Sequence, residues 1–284
     1  MLDIRYHVSS LVAVFLALAL GILLGSVIVD KGIMAEQQKA LIDSVRTDVK
    51  QVQDENRLLK KEADEAQKLQ NELIPLVVRE RLSGKNIVFI SSHPMSDGLK
   101  DFLSGLVKKA GARSYLISVS SDLGFGDSEI KKRLSAFFPE ENLSDEDLKS
   151  RVIERFAIEL ATSSDKAFIQ ELTTLGIIKM EGNGNLPANG FVFVGADLSN
   201  FDPKLIDVPL INQLKSFGLS LVGVETEDIS NSCIPIYMSA KISTVDNVDT
   251  IPGEVSLVYA LCGVKGNFGT KPTAENLLPI TVSE

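Results

Sequence analysis

Val8–Val29 reads VSSLVAVFLALALGILLGSVIV, 22 residues without a charge, followed at once by Asp30 and Lys31. A helix needs about 20 apolar residues to cross the hydrocarbon core of a bilayer, so the run predicts a membrane-spanning helix. Buried core helices and the apolar regions of signal peptides are usually shorter. The flank before it, MLDIRYH, sets one Arg against one Asp, and no A-x-A-like cleavage site follows. Ala13, Ala17, Gly21 and Gly25 recur every fourth residue and fall on one stripe of the helix. Gly21-x-x-x-Gly25 is the spacing that lets two membrane helices approach closely. Orientation stays open from charge: Arg5 precedes the span, Lys31, Lys39, Arg46 and Lys50 follow it, and long domains translocate regardless of charge.

The chain beyond the span changes character. From Gly32 to Leu73 it is polar and helix-favouring, with no proline and no further glycine. Ile42, Val49, Asn56, Ala63 and Gln70 fall at a, and Val45, Val52, Leu59, Ala66 and Leu73 at d, of a heptad repeat. Asn56 at an a position can satisfy its amide against its twin across a parallel two-stranded seam, and Glu55 at g faces Lys60 at e of a second chain. The expectation is a parallel coiled-coil homodimer held through the span (Gly21, Gly25) and the stalk (Val45, Val49, Val52, Asn56, Leu59). Pro75 should end or kink this helix. At 1.5 Å per residue the helical stretch would hold the next domain roughly 60 Å from the bilayer.

After the Ser83-Gly84 break, short apolar strands alternate with helices. Strands are expected at Asn86–Ser92, Ser114–Ser120, Phe191–Gly195 and Leu219–Glu225, with a short fifth at Lys241–Asp246. Helices are expected near Leu99–Lys109, Ser128–Phe138, Asp145–Thr162, Asp165–Leu175, Pro203–Phe217 and Pro252–Leu261. That order predicts an α/β domain with a mainly parallel sheet, Rossmann-like in architecture. The domain plan is therefore a flank at 1–7, a span at 8–29, a coiled coil at 32–77 and an α/β domain at 84–284. Ligands of such sheets sit beyond the strands' carboxyl ends. The crevice residues would be Ser91, Ser92, His93, Ser120, Asp197, Glu225, Asp246 and Asn247.

Chemistry is sparse at these positions. SSHPMSDG follows the first strand in place of G-x-G-x-x-G, so no dinucleotide fingerprint is present. His7 and His93 are the only histidines, and there is no G-x-S-x-G elbow. The reading is a non-enzyme without an organic cofactor. Residues 82–284 carry 18 basic and 26 acidic side chains, a net −8, which disfavours a phosphate backbone and argues against nucleic acid. Soft metal ligands are few: His93 and Met95 just after the first strand, Cys233 and Met238 around a short apolar run, Cys262, and the isolated Met34 and Met180. The two cysteines either pair with each other or stay as thiols.

Two stretches resemble a known family. Asp3–Gly25, DIRYHVSSLVAVFLALALGILLG, looks like the opening of the actinobacterial copper transport protein B family, the MctB-like proteins. Ser243–Leu261, STVDNVDTIPGEVSLVYAL, with Gly266–Gly269 and Leu277-Leu278-Pro279, looks like its C-terminal signature. The resemblance implies a role in copper homeostasis or transport, a copper ion as possible ligand, and a cell-membrane protein with its N-terminus cytoplasmic and its large domain extracytoplasmic. It does not turn the few short strands into a membrane barrel, which needs roughly ten-residue alternating strands throughout. Similar proteins are implicated in cell separation as partners of wall hydrolases. That sets a second expectation, a dimeric scaffold for cell-envelope or division partners.

Overall fold

The computed structural model describes residues 4–139, 143–182 and 187–279; the side chains of 28–35 and 70–71, and with them Met34 and Gln70, lie outside the described residues. The chain divides into two units, Met1–Lys68 and Leu69–Glu284. One helix, α1 (Ile4–Val78), begins in the first unit and ends in the second.

In the first unit α1 carries a stretch, Ile4–Val27, long and apolar enough to cross a membrane. Further along, Ile42, Val45, Val49, Val52 and Leu59 lie on a continuous stripe, and each is at least half exposed in the single chain. The Asn56 amide donates to the Val52 carbonyl one turn back at 2.8 Å. The stripe is exposed in the single chain, and the amide of Asn56 is satisfied within its own helix.

The second unit is a seven-stranded sheet in the order β3-β2-β1-β4-β5-β6-β7. Its strands are β1 (Asn86–Ser91), β2 (Arg113–Val119), β3 (Ile178–Gly182), β4 (Gly190–Val194), β5 (Ser220–Val224), β6 (Ser243–Val245) and β7 (Asn267–Phe268). All pairings are parallel except β2 with β3. β3 and β7 were not foreseen: β3 reads IKMEG, too polar for an apolar run, and β7 is two residues long. Between the strands come α2 (Asp97–Lys109), α3 (Ser128–Ser135), α4 (Asp145–Thr162), α5 (Lys166–Thr174), α6 (Asp207–Leu214), α7 (Ile234–Ser239) and α8 (Ile251–Leu261).

Every residue of β1 and β4 is buried, because helices cover both faces of the sheet. Val88, Ile90, Phe191 and Phe193 face one core with side chains of α3 to α7. Ile87, Phe89, Val192 and Val194 face the other, with α2 and α8. Serine and threonine start the helices: Ser96 Oγ accepts from Leu99 N–H, Ser144 Oγ from Asp147 N–H and Thr250 Oγ1 from Gly253 N–H, each satisfying an orphan donor of the first turn.

The end of α1 belongs to this second core. Ile74, Val78 and Leu82 are buried against α2 and α8 side chains. α1 passes through Pro75 and ends three residues later at Val78, within a residue of the bound at 77 read from the sequence. A proline inside a helix costs about 3 kcal/mol, and burying Ile74 and Val78 at about 1.5–3 kcal/mol each offsets it. A chain starting at residue 84 should accordingly be less stable than one starting at residue 69, by roughly 5 kcal/mol for three lost aliphatic side chains. Urea unfolding of the two truncations side by side measures the difference, and equal midpoints would refute the assignment of these residues to the core.

Candidate functional site

In a sheet of this order the chain reverses direction beside β1, so the crevice between the carboxyl ends of β1 and β4 is where a ligand would enter. The protein fills that place itself. The ring of His93 lies there, with Nε2 2.9 Å from the Val194 carbonyl oxygen and Nδ1 2.9 Å from that of Pro94. Phe201 meets the ring edge-on, with centroids 5.0 Å apart. Ser91 Oγ donates to the His93 carbonyl at 2.7 Å and holds the turn.

Beneath it lies a buried polar network. Ser92 Oγ and Tyr237 Oη each donate to the Asp207 carboxylate at 2.6 Å. Asp207 is fully buried, and no cation pairs with it among the described residues. Burial raises its pKa to about 6, against the pull of the two hydroxyls. Cys233 at the head of α7 and Tyr237 within it press against Gly195, just past β4, and Gly223 of β5. A methyl group at Gly195 would sit 2.1 Å from Cys233 Sγ, and one at Gly223 would sit 2.5 Å from the Tyr237 ring, so both strands need glycine where α7 seats.

Glu225, at the end of β5, anchors the other half. Its carboxylate accepts from Ser232 Oγ at 2.6 Å, Cys233 N–H at 3.0 Å, Cys233 Sγ at 3.3 Å and Lys271 Nζ at 2.5 Å. Lys271 Nζ also donates to the carbonyls of Thr226 and Ile229, so one ammonium group is gripped by three oxygens. Asp246 accepts from the N–H groups of Thr270 and Lys271, which ties the C-terminal strap across β6. The amide of Asn247 is buried with neither end paired among the described residues.

Of the crevice positions read from the sequence, Ser91, Ser92, His93, Glu225 and Asp246 line this edge as internal fasteners. Ser120 bonds to Asp122, and Asp197 accepts from Ser199 and Asn231 N–H groups, both as turn supports. Asp207, Tyr237 and Lys271, absent from the sequence reading, complete the network. Asp207 had one faint signal, a lone carboxylate in the apolar run LIDVPLI.

The soft-ligand candidates are dispersed. Cys233 is buried, and burial together with the Glu225 carboxylate pushes its thiol pKa up, away from the thiolate a metal would need. Met238 packs with Cys233's core, whereas Met95 packs on the opposite face of the sheet. Cys262 is exposed at the end of α8, with Sγ 3.4 Å from the Arg81 carbonyl oxygen, and both cysteines are free thiols. Among the described residues no three His, Cys, Asp or Glu side chains converge on a metal position. These residues do not fit a built copper site.

A family model described as "Copper transport outer membrane protein, MctB" matches residues 1–279. Proteins named "Copper transporter MctB" from Mycobacterium tuberculosis (strain ATCC 25618 / H37Rv) and Mycobacterium bovis (strain ATCC BAA-935 / AF2122/97) are each 24% identical over 315 residues, covering all of both chains.

Asp207 gives the site a measurable pH signature. Its folded pKa of about 6 lies above the ordinary 3.8, so the folded form holds its proton more tightly. The stabilising contribution is complete below pH 4 and is lost as pH rises through 6. Relative to Asp207→Asn, wild-type stability should fall by roughly 3 kcal/mol between pH 4 and 7. Parallel urea-unfolding profiles for the two proteins would contradict this.

Proposed function

Because the chain belongs to the MctB family, which it matches over residues 1–279, we propose that it serves copper homeostasis as a membrane-anchored, non-enzymatic adaptor. Copper is cargo of the system, handled through an envelope protein partner. The observation that carries this reading is the dispersal of His93, Met95, Cys233, Met238 and Cys262 over both faces of one sheet. A Cu(I) site needs thiolate, thioether or imidazole groups brought together. Here the imidazole is turned to carbonyl oxygens, one thiol is held protonated against a carboxylate, and the thioethers pack in separate cores.

The anchor is Ile4–Val27, in the cell membrane, with the N-terminus cytoplasmic and the α/β unit extracytoplasmic. The family description names an outer membrane. The described strands, two to seven residues long, form one open sheet, unlike the closed barrel of long strands that spans such a membrane. Two copies join through the Gly21 and Gly25 stripe and the heptad seam of Val45, Val49, Val52, Asn56 and Leu59. The uncovered seam also favours a second reading, a dimeric scaffold for cell-envelope or division partners such as wall hydrolases.

Two measurements test the proposal. In Cu(I) titration of the full chain against a competing chelator, no stoichiometric withdrawal of metal is expected, and Cys233→Ser and Met95→Ala should change nothing. A tight one-to-one site lost in those variants would mean direct copper handling and end the adaptor reading. Sedimentation of the full chain in detergent should give a dimer that Val49→Asp with Val52→Asp weakens by at least about tenfold, since charged groups at a and d are desolvated in the seam. A wild-type monomer, or a dimer indifferent to both substitutions, would remove the stalk interface.

A further inference from the structure

β3 closes one side of the sheet and, among the described residues, pairs with β2 alone. Ser120 N–H donates to the Ile177 carbonyl, which fixes the phase of this antiparallel ladder. Residues 179 and 181 turn their backbone groups towards β2, and Ile178, Met180 and Gly182 turn theirs outward. A Cβ on Gly182 would lie 3.1 Å from that of Tyr115, the close approach of a non-bonded pair. Ile178 is buried, so the accessible outward groups are those of Met180 and Gly182, and among the described residues nothing pairs with them. The charged side chains of the strand, Lys179 and Glu181, bond to each other, and Glu181 also meets Lys100.

Beside this edge, between β3 and α5, opens a cavity of about 620 Å³. Tyr115, Leu160, Ile169 and Met180 give it apolar walls. Glu159, 6% exposed, stands in the lining. Its carboxylate accepts from Ser164 Oγ at 3.1 Å and from Asp165 N–H. No cation pairs with it among the described residues: the guanidinium of Arg155 goes to Asp165 at 2.5 Å, and Lys166, which also lines the cavity, is exposed and makes no ion pair with it. A nearly buried carboxylate without a counter-charge favours a cation that can reach it.

We propose that the β3 edge and this cavity dock an extended segment of a partner protein that carries a lysine or arginine. The segment adds as a strand alongside Met180 and Gly182, because another extended strand satisfies their outward backbone donors and acceptors. Its basic side chain enters the cavity, lays its stem along Tyr115, Ile169 and Met180, and meets Glu159. Neither feature alone selects this occupant; the free edge demands an extended backbone and the carboxylate demands positive charge. The proposal deepens the adaptor reading and rests on it for the existence of a partner, while its test involves no copper.

The full chain in detergent micelles is panned against phage-displayed random peptides of about nine residues, enough to cover a five-residue strand. Enriched sequences are remade with a fluorophore and followed by anisotropy. The expected peptides share a Lys or Arg with apolar residues two positions away. Their affinity should drop at least about tenfold when that residue becomes norleucine, when alternate peptide nitrogens are methylated, or on Glu159→Gln. The glutamine keeps an oxygen for Asp165 N–H, and the two peptide modifications need no change to the protein. No enrichment over empty micelles overturns the proposal. So does binding indifferent to all three changes. If a peptide copying Ile178–Gly182 instead dissociates the chain's own oligomer, a second copy fills the edge and the proposal fails. A copper site found in the titration above would leave this result untouched.

Discussion

The α/β unit depends on one constraint, that β1 and β4 are buried on both faces. Parallel strands joined by crossovers must be covered on each side, since their apolar residues alternate between the two. The constraint explains why α1 does not stop at Pro75. One face needs α2, α8 and also Ile74, Val78 and Leu82, so the last turns of the long helix are recruited as part of the second core. The last turns of α1 thus belong to the second unit's core, and a truncation after them cuts through packed side chains.

The carboxyl edge of the same sheet, which usually receives a ligand, is occupied by the protein's own groups. His93 with Phe201 fills the switch point, Asp207 is held by two hydroxyls, and Lys271 supplies the cation that Glu225 requires. Each is an internal answer to a desolvation problem, and together they leave little chemistry exposed there. A fold that elsewhere binds cofactors is here closed at its customary site. What stays exposed lies elsewhere: the apolar stripe of α1 and the outer edge of β3.

Family membership and the geometry address different levels. The family's description names copper transport, and the arrangement of sulfur and imidazole groups bears on how directly this chain could handle the metal. Thioethers on opposite faces and a thiol pressed against a carboxylate are what core packing produces.

Much of the architecture was legible in the sequence because it is written in local patterns. An uncharged run of 22 residues, a heptad repeat and short apolar strands between helices each report on their own stretch. They specified an apolar first helix, a long polar one and a mainly parallel sheet. β3 and β7 escaped because edge strands need neither length nor apolar alternation; pairing alone defines them. The burial of Ile74, Val78 and Leu82 escaped because only packing against α2 and α8, far along the chain, defines it. The site was the least legible part. Ser92 and Asp207 stand 115 residues apart and Lys271 meets Glu225 across 46; sequence spacing carries no trace of such pairs. Composition and periodicity determined which elements form. Only the tertiary structure decided that the crevice is closed, that the soft ligands stay apart, and that one sheet edge remains open, because each depends on groups brought together after the chain has folded.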